Sequence, residues 1–325
     1  MRRLSTLLLV VSDTTAAPIA SVGATPPIRV LLQTERYAVV AKPAGCIVHR
    51  NKYSPDGGIP LLQRVRDQLG RHVNAVHRLD GGTSGCVLFA FDGPTTALLQ
   101  EAMADERAQK TYLAFVRGDA SHVRDHVVDR SIKDEGGTKR EARTHVHCVA
   151  SCSDDLVERS SLIVASPSTG RWHQIRKHLN GLAHPILGDA KHGDSRVNRW
   201  WRAERDMRHL GLHCSRLRLE TRDGDVIDVR CPVRADLVSV WRELPWWEQA
   251  CEVLPDLADD ATLAAHDLAL EAAAEDPWER AAAAGHGRIA FARRVAELDE
   301  AGRRRAAVRR ERGGPPRFFV GYSKR

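Results

Sequence analysis

The sequence predicts an α+β fold, and three observations carry the prediction. Apolar, strand-like segments arrive in neighbouring pairs joined by polar turns, and helical segments fall between them at irregular intervals. A content of 42% hydrophobic and 28% charged residues is that of a globular chain. A doubly wound sheet would instead need strands and helices in regular alternation. The 325 residues allow one large domain or two ordinary ones.

Taken in order, Val30-Leu31-Leu32 and Tyr37-Ala38-Val39-Val40, split by Glu35-Arg36, predict a β-hairpin. Lys42-Pro43-Ala44-Gly45 then forces a loop. Helical spacing over 61–69 stops at Gly70, a favoured helix end. A strand over 86–90, a helix over 95–108 and a strand over 111–116 follow. The polar stretch 122–141, with Gly136-Gly137, predicts a long hairpin or an insertion outside the core. Alternation predicts strands over 143–150 and 161–165, and helical spacing predicts a helix over 172–179 that ends near Gly181. A second hairpin, 212–219 with 226–229, turns about Arg222-Asp223-Gly224-Asp225 before a helix over 235–244.

Lysine and arginine total 49 against 42 acidic residues. The net charge of +7 favours a polyanionic partner, because cations that neutralise phosphates release condensed counterions. No apolar run approaches the length that spans a bilayer, so a soluble protein is expected, and a monomer. The seven cysteines, odd in number and scattered through strand-like segments, fit reduced thiols in a reducing intracellular compartment. His145, His147, Cys148 and Cys152 alternate along one strand with no C-x-x-C pair, so no metal site is expected there. Residues 1–27 carry two arginines and no acid before Asp13. They fit either a mitochondrial or plastid transit peptide or, for a cytoplasmic protein, an untidy tail. Residues 251–325 shift to an Ala-rich acidic stretch and then an Arg-rich one, readable as a solvated helix with a tail or as an arm for RNA. The expected division is therefore 1–27, 28–250 and 251–325.

His77-Arg78-Leu79-Asp80-Gly81-Gly82-Thr83-Ser84-Gly85 sets an aspartate between an arginine and a turn that runs straight into a strand. That placement suits a carboxylate nucleophile, although taken alone Asp80 could simply cap a turn. Two further stretches accompany it. Lys110-Thr111-Tyr112-Leu113-Ala114 opens a strand, and Thr169-Gly170-Arg171-Trp172-His173-Gln174-Ile175-Arg176-Lys177-His178 precedes Pro185-Ile186-Leu187-Gly188-Asp189. Together these resemble the motifs of the RluA-type pseudouridine synthases, namely H-R-L-D-x-x-T-S-G, a strand tyrosine and T-G-R-x-H-Q-[IL]-R-x-H. The details are most similar to the tRNA pseudouridine synthase C group: His49-Arg50 after a Lys-Pro-x-Gly loop, Val65-Arg66-Asp67-Gln68-Leu69-Gly70, and Lys191-His192-Gly193-Asp194 ahead of Asn198-Arg199. The resemblance covers residues 28–244. The chain departs from the pattern at Trp172, usually a smaller or polar residue, and in the C-terminal extension, which has no counterpart; where His192-Gly193 stand, members outside that group usually have tyrosine-glycine. Gly81 and Gly82 fill the two free positions of the first motif.

The resemblance implies the synthases' catalytic fold, a mixed, mostly antiparallel sheet flanked by helices, and an enzyme that isomerises uridine in structured RNA, most simply tRNA. Neither metal nor nucleotide cofactor is implied. It assigns Asp80 as catalytic carboxylate, Arg176 as its cationic partner and Tyr112 as the ring against the uracil, able to help move the C5 proton. Ile175 becomes an apolar wall for the base. Arg78 becomes the side chain that fills the gap left by the extruded base, with His77 supporting the loop. Arg50, Arg171, Lys177 and Lys191 are the candidates for phosphate contacts. A non-catalytic RNA binder on the same scaffold, an rRNA-specific synthase, and an unrelated phosphoester hydrolase are the alternatives. With only residues 1–27 ahead of the catalytic part, no S4-type RNA-binding module is expected.

Overall fold

The computed structural model describes residues 26–50, 59–134, 136–153 and 158–264. The transit-peptide reading of the N-terminus, up to residue 25, and the Arg-rich part of the C-terminal extension lie outside the described residues.

The first hairpin is β1 (Val30–Gln33) with β2 (Tyr37–Lys42). Helix α1 (Leu61–Leu69) ends where Gly70 turns left-handed, at φ 62°, and its N–H bonds the Arg66 carbonyl. After β3 (Asn74–Ala75) and β4 (Ser84–Ala90) comes α2 (Gly93–Ala104), capped by the Asp92 carboxylate on the Thr95 N–H at 2.6 Å, with Pro94 in its first turn. It is shorter than the predicted 95–108, because Asp105 is extended and turns its carboxylate to Arg107. Strand β5 (Gln109–Arg117) leads to β6 (His126–Asp129) and the small hairpin β7 (Ile132–Lys133) with β8 (Lys139–Arg140), then β9 (Arg143–Ser151) and β10 (Ser160–Pro167).

Helix α3 (Gln174–Gly181) starts two residues after the predicted position. His173 ahead of it takes a left-handed backbone, φ 55°, which no helical periodicity reports. Helix α4 (Ser195–Arg205) was not predicted, because its sequence is mostly arginine and polar residues and only Trp201 is buried. The hairpin β11 (Leu212–Glu220) with β12 (Val226–Arg230), α5 (Ala235–Trp241) and α6 (Trp247–Val253) complete the elements.

The main sheet runs β1-β2-β4-β11-β5-β10-β9-β6, with β12 beside β11 and β3 beside β4. Its pairs are antiparallel except β4 with β11. That parallel junction pairs Ser84 with His213 and Gly85, φ 115°, with Cys214, whose backbone any Cβ on Gly85 would strike. One register row crosses six strands as Lys42, Gly85, Cys214, Tyr112, Ala165 and Val146. The functional side chains described below cluster at that row.

Both faces of the sheet are covered. On one side Ala114, Val116, Ile163 and Leu217 join the large core with Phe89 and Leu99. On the other, Phe115 packs edge-on against Trp201 at 5.1 Å, Trp241 at 6.0 Å and Trp246 at 5.8 Å, drawn from α4, α5 and the turn before α6. The expected division at 250/251 falls inside α6, and the chain remains in the same compact unit as far as Thr262. Asp260 is buried there, taking the Val233 N–H at 3.0 Å and Arg230 at 2.5 Å. Among the described residues no helix is long and apolar enough to cross a membrane.

Candidate active site

The loop between β3 and β4 carries the first motif and is fixed from the protein side. Leu79 is buried in the core, and Asp80 beside it faces the pocket. The Lys42 ammonium, at the end of β2, is buried and donates to the carbonyls of Pro43 (3.0 Å), Gly81 (3.0 Å) and Thr83 (2.7 Å). Burial pushes its pKa down to about 8. Behind the loop, Arg234 donates to Ser84 Oγ at 3.0 Å. An arginine cannot accept, so the Ser84 hydroxyl gives its proton to His213 Nδ1 at 2.9 Å, and His213 Nε2–H donates to the Cys231 carbonyl at 3.1 Å. Gly81 and Gly82 have no left-handed backbone; a Cβ on Gly82 would lie 3.1 Å from Leu210.

Helix α3 delivers the charge partner. Arg176 forks onto Asp189 through Nε and Nη2, both at 2.7 Å, and its Nη1 reaches Asp80 Oδ2 at 3.1 Å. Asp189 also accepts the N–H groups of Lys191 and His192, each at 2.9 Å. Exposure falls from 23% at the Asp80 side chain through 10% at Arg176 to 1% at Asp189, so the chain of charges runs inward from the pocket. Burial works against the charge on Arg176, but the bonds and charge of Asp189, then of Asp80, outweigh it and hold its pKa above the ordinary arginine value. Burial works against Asp189 likewise, and Arg176 holds it below the ordinary carboxylate range.

The start of α3 is held by Gln174, whose side chain ties the 169–171 turn to β9. Its Oε1 accepts from Thr169 Oγ1 (2.6 Å) and the Arg171 N–H (3.0 Å), and its Nε2 donates to the Arg143 carbonyl (2.8 Å) and Thr144 Oγ1 (2.9 Å). Thr144 in turn bonds His178 Nδ1 at 2.9 Å. These bonds support the left-handed backbone of His173, a conformation that costs a non-glycine residue on the order of 1 kcal/mol. His173 Nε2 then lies 3.7 Å from Asp80 Oδ2, and its Nδ1 meets His192 Nε2 at 2.8 Å. Burial and the nearby Arg176 push its pKa down to about 3, so the imidazole is neutral at neutral pH.

A cavity of about 510 Å³ opens over this arrangement, lined by Arg78, Asp80, Tyr112, Arg171, Ile175 and Arg176 among others. Asp134 and Gly136, from the polar stretch predicted to lie outside the core, form part of its wall. Burial, then Cys214 and Asp80, raise Tyr112 well above the ordinary tyrosine pKa, so its phenol is neutral. Six of the ten residues named from the sequence therefore line one pocket. Lys177 and Lys191 sit just outside it, both over the Trp172 ring at 4.2 Å. Arg50 is exposed and is not among the lining residues. His77, named among the substrate-binding residues, is not among them either: its Nε2 accepts the Leu88 N–H at 3.1 Å, and burial and Lys110 push its pKa down to about 4. It supports the strand after the loop.

Sequence reasoning gave no role to Lys42, Asp189, His173 or His192. Lys42 and Asp189 sit inside motifs already quoted, the Lys-Pro-x-Gly loop and the Pro-Ile-Leu-Gly-Asp stretch. A charged residue embedded in an apolar or turn motif is the signal that could have found both. Among the described residues no group of three or more His, Cys, Asp or Glu side chains is placed to hold a metal ion.

The chain is similar to known proteins in sequence and in fold. Residues 36–181 match the family described as RNA pseudouridylate synthase. The tRNA pseudouridine synthase C of Vibrio vulnificus is 32% identical over 232 residues, covering 67% of this chain and 94% of that protein. The protein of the same name from Pectobacterium carotovorum is 34% identical over 209 residues, 59% of this chain and about half, 55%, of its own length. Among solved structures, Human RNA Pseudouridylate Synthase Domain Containing 4 superposes with a TM-score of 0.53 at 24% identity, over 66% of this chain and 92% of that one. That likeness shows the fold, a mixed sheet flanked by helices. Fold, matched residues and the extent of the Vibrio match together mean that this chain belongs to the RNA pseudouridylate synthase family.

Proposed function

We propose that this chain converts a uridine of tRNA to pseudouridine, with Asp80 as the catalytic carboxylate. The observation that carries the proposal is the Asp80–Arg176–Asp189 chain running inward from the pocket, which places a carboxylate in a partly dry cavity with one oxygen held at 3.1 Å by a fixed cation. The reaction breaks the N1–C1′ bond, turns the base and rejoins it through C5. The C5 hydrogen leaves as a proton, N1 gains one, and no redox partner is needed. A carboxylate at C1′ is the requirement of glycoside chemistry generally, and Asp80 meets it whether it attacks that carbon or begins formation of a glycal.

In this reading the uridine enters with its base against Tyr112 and Ile175. Tyr112, held neutral, contributes its ring rather than a phenolate. Arg78, exposed at the pocket edge, takes the space of the extruded base, and Arg171, Lys177 and Lys191 meet phosphates. The tRNA assignment rests on the two relatives named above. It is tested by incubating bulk tRNA and rRNA with the protein and mapping pseudouridine by carbodiimide adducts that stop reverse transcriptase. New stops at a defined tRNA position are expected. Stops confined to rRNA would replace tRNA by rRNA as the substrate, and shortened RNA without stops would favour hydrolysis.

A further inference from the structure

Trp172 lines the pocket but is not built into the core. Trp201, Trp241 and Trp246 are at most 1% exposed, whereas Trp172 is half-buried, with one face covered and the other turned outward. The covered face stacks on His173, centroids 4.1 Å apart at 22°. His192 stands edge-on to both rings and bonds His173 at 2.8 Å, so the indole is oriented without help from a ligand. A ring stacked that closely leaves no room for a cation on its side. The ammoniums of Lys177 and Lys191, each 4.2 Å from the indole centroid, therefore share the outer face. Lys177 is also steadied by the Lys133 carbonyl at 2.6 Å.

We propose that the outer face of Trp172 is a stacking platform for an unpaired nucleotide next to the target uridine, with Lys177 and Lys191 swinging off the ring to hold the phosphates on either side of it. This rests on the reading of the pocket as a uridine site and adds the recognition of a neighbouring base. Two like charges over one ring repel each other, and a phosphate between them relieves that repulsion. Lysine stems are flexible enough for the movement. The location fits as well: His173 lies between the platform and Asp80, with Nε2 3.7 Å from the carboxylate, so the indole and one imidazole separate the stacked base from the reacting centre. Extruding a uridine unstacks its neighbours, and an aromatic face is the sequence-tolerant way to restack one of them.

The test compares wild type, Trp172→Ala and Trp172→Phe on a stem-loop containing the modified uridine, intact or abasic at either neighbouring position. Affinity is read by filter binding, and pseudouridine formation by single-turnover rate at saturating protein. Trp172→Ala is expected to bind the intact RNA about ten- to a hundredfold more weakly, and Trp172→Phe to recover most of that loss. The abasic change at the stacked neighbour is expected to weaken wild type and leave Trp172→Ala unaffected. Lys177→Ala combined with Lys191→Ala is expected to lower the log–log salt slope of binding by about 1.5. Equal affinity of Trp172→Ala and wild type overturns the platform. So does an abasic penalty of the same size in both proteins at each neighbour, or Trp172→Phe binding as weakly as Trp172→Ala, which would mark the ring as structural only. A wild type that binds RNA but forms no pseudouridine in it refutes the reading of the pocket instead, and the affinity comparison still decides the platform.

Discussion

At the scale of single residues, the site depends on a charge whose two partners have different tasks. Asp189 neutralises Arg176 in the interior, which leaves one guanidinium nitrogen to position Asp80. Asp189→Asn keeps the volume but leaves Arg176 only the partly exposed Asp80 as a counter-charge, and removing the buried partner of a buried charge costs about 3 kcal/mol. Thermal denaturation should show that loss, and pseudouridine formation should fall at least about a hundredfold. Arg176→Lys retains charge without the fork, so it should keep the fold and still lose a comparable factor in rate. Lys42 acts on the other side of the loop. Its three carbonyl bonds use all three ammonium protons, and with a pKa of about 8 the rate should decline as pH rises through that value, whereas Lys42→Met should be slow and flat over the same range. The sign for stability is opposite. Between about 8 and the free lysine value of 10.5 the unfolded chain holds a proton that the native chain has released, so the Lys42 contribution to stability rises with pH. A fall in rate accompanied by a fall in melting temperature that disappears in Lys42→Met would contradict this account.

At the scale of elements, what the sequence made legible was local. The hairpin β1–β2, helix α1 with its Gly70 stop, and the hairpin β11–β12 each declare themselves within about twenty residues through periodicity and turn chemistry. The parallel junction of β4 with β11 joins Gly85 to Cys214 and leaves no local trace. Helix α4 hides because its apolar stripe is short, Val197, Trp200 and Trp201 among arginines and polar residues, and the start of α3 is displaced by the backbone of one residue, His173. The junction is open to test: Gly85→Ala must place a Cβ against the Cys214 backbone in a left-handed conformation, and urea unfolding should show a loss of about 3 kcal/mol or more. A second element-scale prediction concerns acid. His77 beneath β4 and His173 ahead of α3 have pKa values lowered to about 4 and about 3, so below the ordinary histidine value of 6.5 the unfolded chain takes up protons that the native one refuses. Stability should therefore decline as pH falls from about 6.5 toward 4, and His77→Gln, which keeps an acceptor for the Leu88 N–H, should flatten part of that decline in melting temperature.

At the scale of the whole molecule, a sheet covered on both faces brings Lys42, Gly85, Cys214 and Tyr112 into one row, and the Asp80 loop and α3 converge beside it. The motifs made the convergence of Asp80, Tyr112 and Arg176 legible in the sequence. They did not show which residues stabilise the convergence, because Asp189, Lys42 and Gln174 act through contacts between elements distant along the chain. The claim on which the account turns is that Asp80 performs the chemistry. It is tested most directly by tritium release from RNA labelled at uracil C5, comparing wild type with Asp80→Ala at protein concentrations that saturate binding for both. The account predicts release by wild type, a loss of more than about a thousandfold in Asp80→Ala, and RNA affinity within a few-fold between the two. Release by Asp80→Ala at a rate near that of wild type would contradict it.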